Sequence, residues 1–182
     1  MTSSTEFVDC MSMAPAVNLA GYGVGEALFK SVVGSLPTGV TVVTSLDGEG
    51  RPVGMTSGAV CGLSCSPPLL LTCIGRRSQT LRHLLGHGTF CVNVLGAGAD
   101  RLSDRFAGRG PDRFAGVAWR PGPRGVPVLT EGVVAHAVCE VYEELGGGDH
   151  TIVVGLIVGG EHRPDAAPLL YHRRRYAGFP ED

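Results

Sequence analysis

The chain has 182 residues, of which 43% are hydrophobic and 18% charged, and its formal net charge is -2. This composition is typical of one compact folded domain and argues against wholesale disorder or a repeat array. A near-neutral chain lacks the basic character of a nucleic-acid-binding protein, so no nucleic-acid partner is predicted.

Six cysteines sit mostly inside apolar runs and form no C-x-x-C pair. We therefore expect buried, reduced thiols and no metal site. The sequence near Met1 has no secretory leader pattern, and no run of about 18 apolar residues could span a membrane. These features predict no membrane partner and a cytoplasmic location. Lys30 is the only lysine, and the preference for arginine is typical of a high-GC bacterial genome.

Residues 1–22 mix Ser, Thr, Met and Gly without periodicity. They are predicted to be a flexible extension that precedes a single domain over residues 23–180. Between Val24 and Leu36, apolar residues recur at helical spacing, which predicts an amphipathic helix that Pro37 ends.

Short β-branched runs follow this helix. Residues 40–45 and 52–60 flank the turn-rich segment DGEGR and are typical of a hairpin. Helices are predicted between later strands, at 78–86 and around 98–107. Four more strands are predicted at 69–74, 89–95, 133–143 and 151–158, the last two joined by a turn.

Many short strands with few helices favour a mainly β fold, an antiparallel barrel, over a doubly wound sheet. The Rossmann fingerprint G-x-G-x-x-G after a strand is missing from the sequence. The glycines at 21, 23 and 25 precede a helix, but they have the wrong spacing and no strand before them. A bound nucleotide would therefore need another geometry to hold it.

Four segments, taken together and in order, resemble the short-chain flavin reductases that serve two-component flavin-dependent monooxygenases. The resemblance covers about residues 26–176. It implies an FMN-binding split barrel, which is a Greek-key antiparallel β-barrel with flanking helices, and a homodimer whose contacts complete each site. The segments are LPTGVTVVTS at 36–45, RPVGMTSGAVCGLSCSPPLLL at 51–71, RRSQTLRHLLGHGTFCVNVL at 76–95, and GDHTIVVGLIV with PLLYHRRRY between 148 and 176.

Two of these segments suit a flat ligand. Residues 37–39 combine a helix stop, a hydroxyl and a residue without Cβ, which allows close backbone approach, although a plain helix-to-strand turn has the same pattern. Residues 54–57 are small and polar for a strand and leave room in a barrel. The resemblance implies that both segments contact the flavin, with backbone N–H groups of Thr38 and Val40 as donors. The implied contacts are Thr38, Gly39, Val40, Thr41, Met55, Thr56, Ser57 and Asn93.

Ser78 precedes an apolar helical pattern and is a good N-cap residue. A helix N-terminus with hydroxyls and a neighbouring arginine can bind phosphate, although an ordinary capped helix has the same sequence pattern. The resemblance places the flavin phosphate there, with Arg77, Ser78 and Thr80 as contacts.

The motif Gly148-Asp149-His150 is the most specific part of the resemblance. It implies that His150 is a catalytic residue beside the flavin and contacts the nicotinamide nucleotide. Histidine can exchange protons near neutral pH. Asp149 either orients His150 or caps the turn. Further nucleotide contacts are implied at Tyr171, Arg173 and Tyr176, with His172 between them, although the three adjacent arginines also suit a solvated surface.

The resemblance implies an enzyme that uses NADH, or alternatively NADPH, to reduce dissociable FAD or FMN for a partner monooxygenase. The partner pathway would be natural-product biosynthesis, such as that of an antibiotic. No arginine cage for a 2′-phosphate is evident, which favours NADH. Two alternatives stay open: a barrel flavoprotein that holds its flavin tightly and acts on its own substrate, and a flavin-binding module without catalysis.

Overall fold

The computed structural model describes residues 23–110 and 112–179, and the predicted extension over residues 1–22 lies outside them. The chain divides into two compact units between Val33 and Gly34. The first unit contributes helix α1 (Glu26–Val33), in which no residue is buried.

Helix α1 is shorter than the stripe from Val24 to Leu36 that predicted it. Gly34 and Ser35, which have low helix propensity, follow Val33 and end the helix before Pro37. The helix itself was predicted correctly, but the prediction extended it about one turn too far at its C-terminal end.

The second unit is dominated by antiparallel strands. It also contains helices α2 (Gln79–His87) and α3 (Asp100–Ala107) and a short 3₁₀ turn at Pro123–Gly125. The strands are β1 (Thr38–Gly39), β2 (Thr41–Leu46), β3 (Pro52–Ser57), β4 (Val60–Cys65), β5 (Pro68–Gly75), β6 (Thr89–Leu95), β7 (Trp119–Pro121), β8 (Pro127–Leu129), β9 (Val133–Gly147), β10 (His150–His162), β11 (Leu169–His172) and β12 (Arg175–Gly178).

Seven strands form the main sheet in the order β3-β2-β6-β9-β10-β5-β4. Strands β3 and β4 lie at opposite ends of this order, yet only Gly58 and Ala59 separate them in the chain. The N–H of Cys73 on β5 donates to the carbonyl of Ala59 at 2.9 Å. The sheet must therefore curl until its two edges meet, which makes it a barrel. A smaller sheet, β1-β11-β12, and the hairpin β7-β8 complete the unit.

Two apolar clusters fill the two sides of β2, because successive side chains of a strand point to opposite faces. Val43 packs with Leu84, Phe90 and Val153 in one cluster. Val42 belongs to the other cluster, which includes Leu95, Phe106, Phe114 and Leu129. Phe106 comes from α3, so this helix covers that side of the sheet.

The predicted strands and the helices α2 and α3 are present, but the sequence patterns missed the strands β1, β4, β7, β8, β11 and β12. Strand β4 was not predicted, because Cys61, Gly62 and Leu63 offer neither β-branched residues nor alternating polarity. The hairpin β9-β10 is longer than predicted and closes with a two-residue turn, Gly148-Asp149. Gly148 adopts a φ of 65°, which favours glycine.

The five cysteines described are all free thiols. Cys91 and Cys139 are buried as predicted, and burial raises the pKa of Cys139 to about 12 and that of Cys91 well above its usual range. Cys61 and Cys65 are exposed. The prediction that they are buried was wrong, because β4 is an edge strand.

Gly155 on β10 has no room for a side chain. A Cβ there would lie 2.5 Å from Phe90 Cζ and 2.8 Å from Cys139 Cβ. We expect Gly155→Ala to lower the free energy of unfolding by about 1–3 kcal/mol through overpacking, measured by urea denaturation. Gly159→Ala is the control, because a Cβ there meets nothing within 4 Å. Equal unfolding midpoints for the two variants would contradict this packing argument.

Candidate functional site

A cavity of about 490 Å³ opens at the N-terminus of α2. Ser78 caps this helix, and its hydroxyl accepts from the N–H of Leu81 at 3.4 Å, which confirms the predicted N-cap. The first N–H groups of a helix have no helical partner, so those of Gln79 and Thr80 are open to a ligand. Arg77, Ser78 and Thr80, all predicted phosphate contacts, line the cavity.

The loop after α3 forms the opposite wall of this cavity with Arg109, Asp112 and Arg113. The guanidinium of Arg113 donates to the carbonyl of Gly54 at 2.7 Å, which ties the loop to β3. Asp112 accepts the N–H groups of Phe114 and Ala115, both at 3.0 Å, so its carboxylate is engaged within the loop. The arginines therefore dominate the charge of the cavity.

His150 lies beside the turn that leads into α2. It pairs with Gly75 across β10 and β5, three residues before Ser78. The guanidinium of Arg76 donates to the carbonyl of His150 at 3.3 Å, and the N–H of Arg76 donates to the carbonyl of Asp149 at 3.0 Å. The hairpin tip and the capping turn are thus held together.

Asp149 orients the imidazole of His150, with Oδ1 and Nδ1 2.8 Å apart. This hydrogen bond and the charge of His150 hold the pKa of Asp149 below its usual range. An ionised carboxylate only accepts, so Nδ1 carries the hydrogen and Nε2 is the atom left for a ligand. The side chain of His150 is about half exposed, 48%. Of the two roles predicted for Asp149, the contact that orients His150 is present.

The ligand contacts predicted on β3 lie on two opposite faces of this strand. Met55 belongs to the core side that includes α2, and its sulfur lies 3.3 Å from the hydroxyl of Ser78. Thr56 points the other way, and its hydroxyl donates to the carbonyl of Ser103 on α3 at 2.6 Å. The side chains of Met55 and Thr56 therefore cannot both face one flat ring. Ser57 is nearly buried, and its hydroxyl accepts the N–H of Ala59 at 3.2 Å.

The first short strand brings two predicted segments together. Thr38 on β1 pairs with Tyr171 on β11. A Cβ on Gly58 would come within 2.9 Å of Thr38 Oγ1, so β1 approaches the end of β3 closely. Gly39 is exposed on the same strand. The structure thus brings Thr38 and Tyr171 together close to the end of β3, which carries Ser57.

Tyr176 is half-buried against the core rather than open to a ligand. Its phenol donates to Asp104 Oδ1 at 2.7 Å and lies 3.0 Å from Ser103 Oγ. Its ring centre is 5.2 Å from that of Tyr171. Arg173 occupies the tip of the hairpin β11-β12 with a φ of 46°, and its side chain is exposed.

Three of the predicted ring contacts lie inside the protein, and the structure gives them other roles. Val40 is 3% exposed, and its N–H, predicted as a ligand donor, donates to Leu169 instead. Thr41 is buried and donates its hydroxyl to the carbonyl of Ser57.

Asn93 is 0% exposed, and its amide binds four groups of the protein. It donates to the carbonyl of Val42 and to Thr44 Oγ1, and it accepts the N–H of Leu129. The thiol of Cys91 donates to Asn93 Oδ1 at 3.6 Å. This amide joins β2, β6 and β8, so Asn93 holds the barrel together and is left out of the proposed site.

Sequence reasoning missed one wall of the cavity. Arg109 and Arg113 belong to the segment GRGPDRF, where two arginines four residues apart in a Gly-Pro loop were the available signal. Gln79 and His83, one turn apart on α2, also line the cavity. The local sequence could not identify them as lining residues, because the facing wall of the cavity comes from a loop that is distant in sequence.

Within residues 23–110 and 112–179, no helix combines the length and apolarity needed to cross a bilayer. Over that same part of the chain, His, Cys, Asp and Glu side chains nowhere gather in groups of three that could hold a metal ion.

The arrangement fits a phosphorylated, flat cofactor. Open N–H groups, Ser78 and Arg77 provide an anion site, and Gly39, where a Cβ would meet nothing within 4 Å, leaves room for a ring. His150 presents Nε2 next to the same turn. A flavin nucleotide combines a ring and a phosphate in this way.

The flavin reductase like domain, a family model, matches residues 33–180. The chain belongs to the flavin-reductase-like family. Its barrel is the split-barrel fold that the resemblance implied. It is 53% identical to the flavin reductase (NADH) of Kitasatospora aureofaciens over 84% of this chain and 81% of that one.

Two further flavin reductases extend the comparison. The reductase subunit HsaB of a flavin-dependent monooxygenase from Rhodococcus jostii is 36% identical over 90% of this chain and 83% of its own. The NADH:FAD oxidoreductase SgcE6 of Streptomyces globisporus, solved in complex with NAD and FAD fragments, superposes with a TM-score of 0.81. That match has 36% identity and covers 86% of this chain and 93% of that one.

The anion site at Ser78 can be tested by charge. Aspartate is as good an N-cap as serine, so Ser78→Asp keeps the helix but places an anion where the phosphate is expected. We expect FMN affinity to fall by about tenfold or more, measured by quenching of flavin fluorescence. Ser78→Asn is the matched neutral cap and should lose less. If both variants bind FMN as the parent does, the phosphate lies elsewhere.

Proposed function

We propose that the protein is an NADH-dependent flavin reductase that reduces dissociable FAD or FMN and supplies the reduced flavin to a partner monooxygenase. The observation that carries this proposal is the meeting of His150 with the Ser78 turn, where an imidazole stands next to an anion site. The Kitasatospora aureofaciens and SgcE6 enzymes, whose names state NADH as the electron donor, support the choice of NADH over NADPH.

When bound, the nicotinamide and flavin would supply the hydride chemistry themselves. The protein would bind and orient them. Thr38, Gly39 and Tyr171 would line one side of the ring site, and Met55 and Ser57 the other. Ser78 and Arg77 would hold the phosphate. His150 would hold a proton at Nε2, with Asp149 fixing the ring through Nδ1.

The partner monooxygenase is proposed from the relatives. HsaB is a reductase subunit of a flavin-dependent monooxygenase. An oxygenase in natural-product biosynthesis is proposed from the arginine-rich, lysine-poor composition of the chain. Such a composition is typical of high-GC bacteria, in which reductases of this kind often serve such pathways. We also place the protein in the cytoplasm, where NADH is available as the electron donor.

A homodimer is proposed from the outer face of the barrel. Thr72 and Val153 are 0% exposed and point inward, so their neighbours Leu71, Cys73 and Ile152 point outward. Leu145 pairs with Ile152 and is 45% exposed. An apolar sheet face of this kind is what a second copy of the chain would cover.

Leu145→Glu tests this dimer. A charge on this apolar face should convert a dimer to a monomer, and light scattering after size exclusion measures the mass. Phe179→Glu is the control, because Phe179 is an exposed apolar residue outside this face. A parent protein that is monomeric, or a Leu145→Glu variant that stays dimeric, would contradict the proposal.

Absorbance at 340 nm tests the reductase activity. The pure protein should oxidise NADH when FAD or FMN is added, with a rate that saturates in free flavin. A tightly held flavin would make the rate independent of added flavin, which would favour the alternative of a flavoprotein with its own substrate. No oxidation of NADH would favour a non-catalytic flavin-binding module.

In the same assay, His150→Ala should lower kcat/KM for NADH by about 10- to 100-fold, because it removes the group proposed to contact nicotinamide and hold a proton. Flavin affinity should change far less. His162→Ala is the control, an exposed histidine at the opposite end of β10. Equal losses of NADH use and flavin affinity would remove His150 from the proposed role.

A further inference from the structure

The tip of the hairpin β9-β10 lies beyond the pairing of the main sheet. Every residue from Tyr142 to His150 is exposed. His150 pairs with Gly75, the last residue of β5, so the ladder between β5 and β10 ends before the turn Gly148-Asp149. The end of a hairpin without a third strand is only marginally stable in water. The place of the His150 imidazole therefore depends on contacts made outside the strand ladder.

Arg76 makes such contacts with both its backbone and its side chain. Its N–H donates to the carbonyl of Asp149 at 3.0 Å, and its guanidinium Nε donates to the carbonyl of His150 at 3.3 Å. The hydrogen bond and charge of His150 lower the pKa of Asp149, and the charge of Arg76 adds to this effect. Arg76 thus holds two successive carbonyls and favours the ionised carboxylate that orients the imidazole.

The imidazole also lies against the end of β5. A Cβ on Gly75 would be 3.7 Å from His150 Nε2, so the ring reaches across the residue that precedes Arg76. Nε2 is the ring atom left for a ligand. Its position is therefore set from two sides, by Asp149 through Nδ1 and by the chain at residues 75–76.

Gly146 on β9 provides the space that the Arg76 guanidinium occupies. A Cβ at this position would come within 2.9 Å of Arg76 Nη2, which is closer than Cβ contacts in proteins allow. The backbone of Gly146 does not have the left-handed conformation that favours glycine. The close approach of the guanidinium is therefore the feature of the structure that requires a residue without a side chain here.

We propose that Arg76 is a positioning residue for His150, and that Gly146 serves the same role by leaving space for the Arg76 guanidinium. The inference rests on the proposed function, because it starts from His150 as the group that contacts nicotinamide. Arg76 acts through the hairpin tip. A displacement of a catalytic group by about 1 Å can lower a rate by about two orders of magnitude, so a clamp on the tip affects catalysis.

Two variants test this role, because one removes the guanidinium and the other displaces it. Arg76→Met removes the Nε–H donor. Gly146→Ala keeps the arginine but pushes aside Nη2, the far end of a flexible side chain, so the fold stays intact. We expect kcat/KM for NADH to fall by about three- to tenfold in Arg76→Met and by about two- to fivefold in Gly146→Ala. The KM for free flavin should change less than about twofold in both variants.

The double variant Arg76→Met/Gly146→Ala separates positioning from independent damage. If Gly146 acts only through Arg76, the double variant should have the kcat/KM of Arg76→Met alone. The matched controls are Arg82→Met, at an exposed arginine of α2, and Gly159→Ala, where a Cβ meets nothing within 4 Å. Both controls should keep the kcat/KM of the parent.

Three kinetic results would overturn the proposal. The first is a double variant in which the two losses multiply, and the second is a Gly146→Ala variant with the kcat/KM of the parent. The third is an Arg76→Met variant that loses flavin affinity as strongly as it loses NADH use, because that result would assign the guanidinium to the flavin itself.

Nitrogen NMR spectra of the His150 side chain test the same role without turnover. At about pH 8.5, where imidazole is neutral, the parent should show the hydrogen on Nδ1, and both variants should show a mixture of the two tautomers. His150→Ala identifies the signal. Identical imidazole signals in the parent and the variants would contradict the proposal. A parent that oxidises no NADH would instead count against the proposed function, and the spectra would still decide the role of Arg76.

Discussion

The pairing of β5 with β10 is the constraint on which the site depends. It sets His150 opposite Gly75 and therefore next to the turn that ends in Ser78. A shift of one residue would turn every side chain of β10 to the other face of the sheet. Gly155 resists such a shift, because the position facing Phe90 accepts no side chain. Packing deep in the barrel thus fixes the place of an exposed imidazole.

A loop, a helix and a strand together form the walls of the cavity. Arg113 ties the loop after α3 to the carbonyl of Gly54, and Ser78 meets Met55 on the same strand, β3. Strand β3 is therefore the common support of the proposed ring site and the basic cavity. Because strands are rigid compared with loops, both halves of the site are held at a fixed separation.

Local sequence patterns predicted the elements whose formation depends on interactions between residues close in sequence. The N-cap at Ser78 and the strand at 89–95 follow from capping preference and from β-branched residues. Strand β4 could not be found this way, because it is held by pairing with β5 and has no apolar pattern of its own. Likewise the burial of Asn93 is a property of three strands that meet, and Arg109 reaches the cavity only through tertiary folding.

The positions of the cysteines affect how the protein resists oxidation. Reduced flavin that escapes into aerated solution reacts with oxygen and generates peroxide, which attacks thiolates rather than thiols. Cys91 and Cys139, whose oxidation would push polar oxygens into the core, are kept protonated by burial. The exposed sulfurs, Cys61 and Cys65, lie on an edge strand. Oxidative damage from the protein's own product would therefore fall first on its surface rather than in its core.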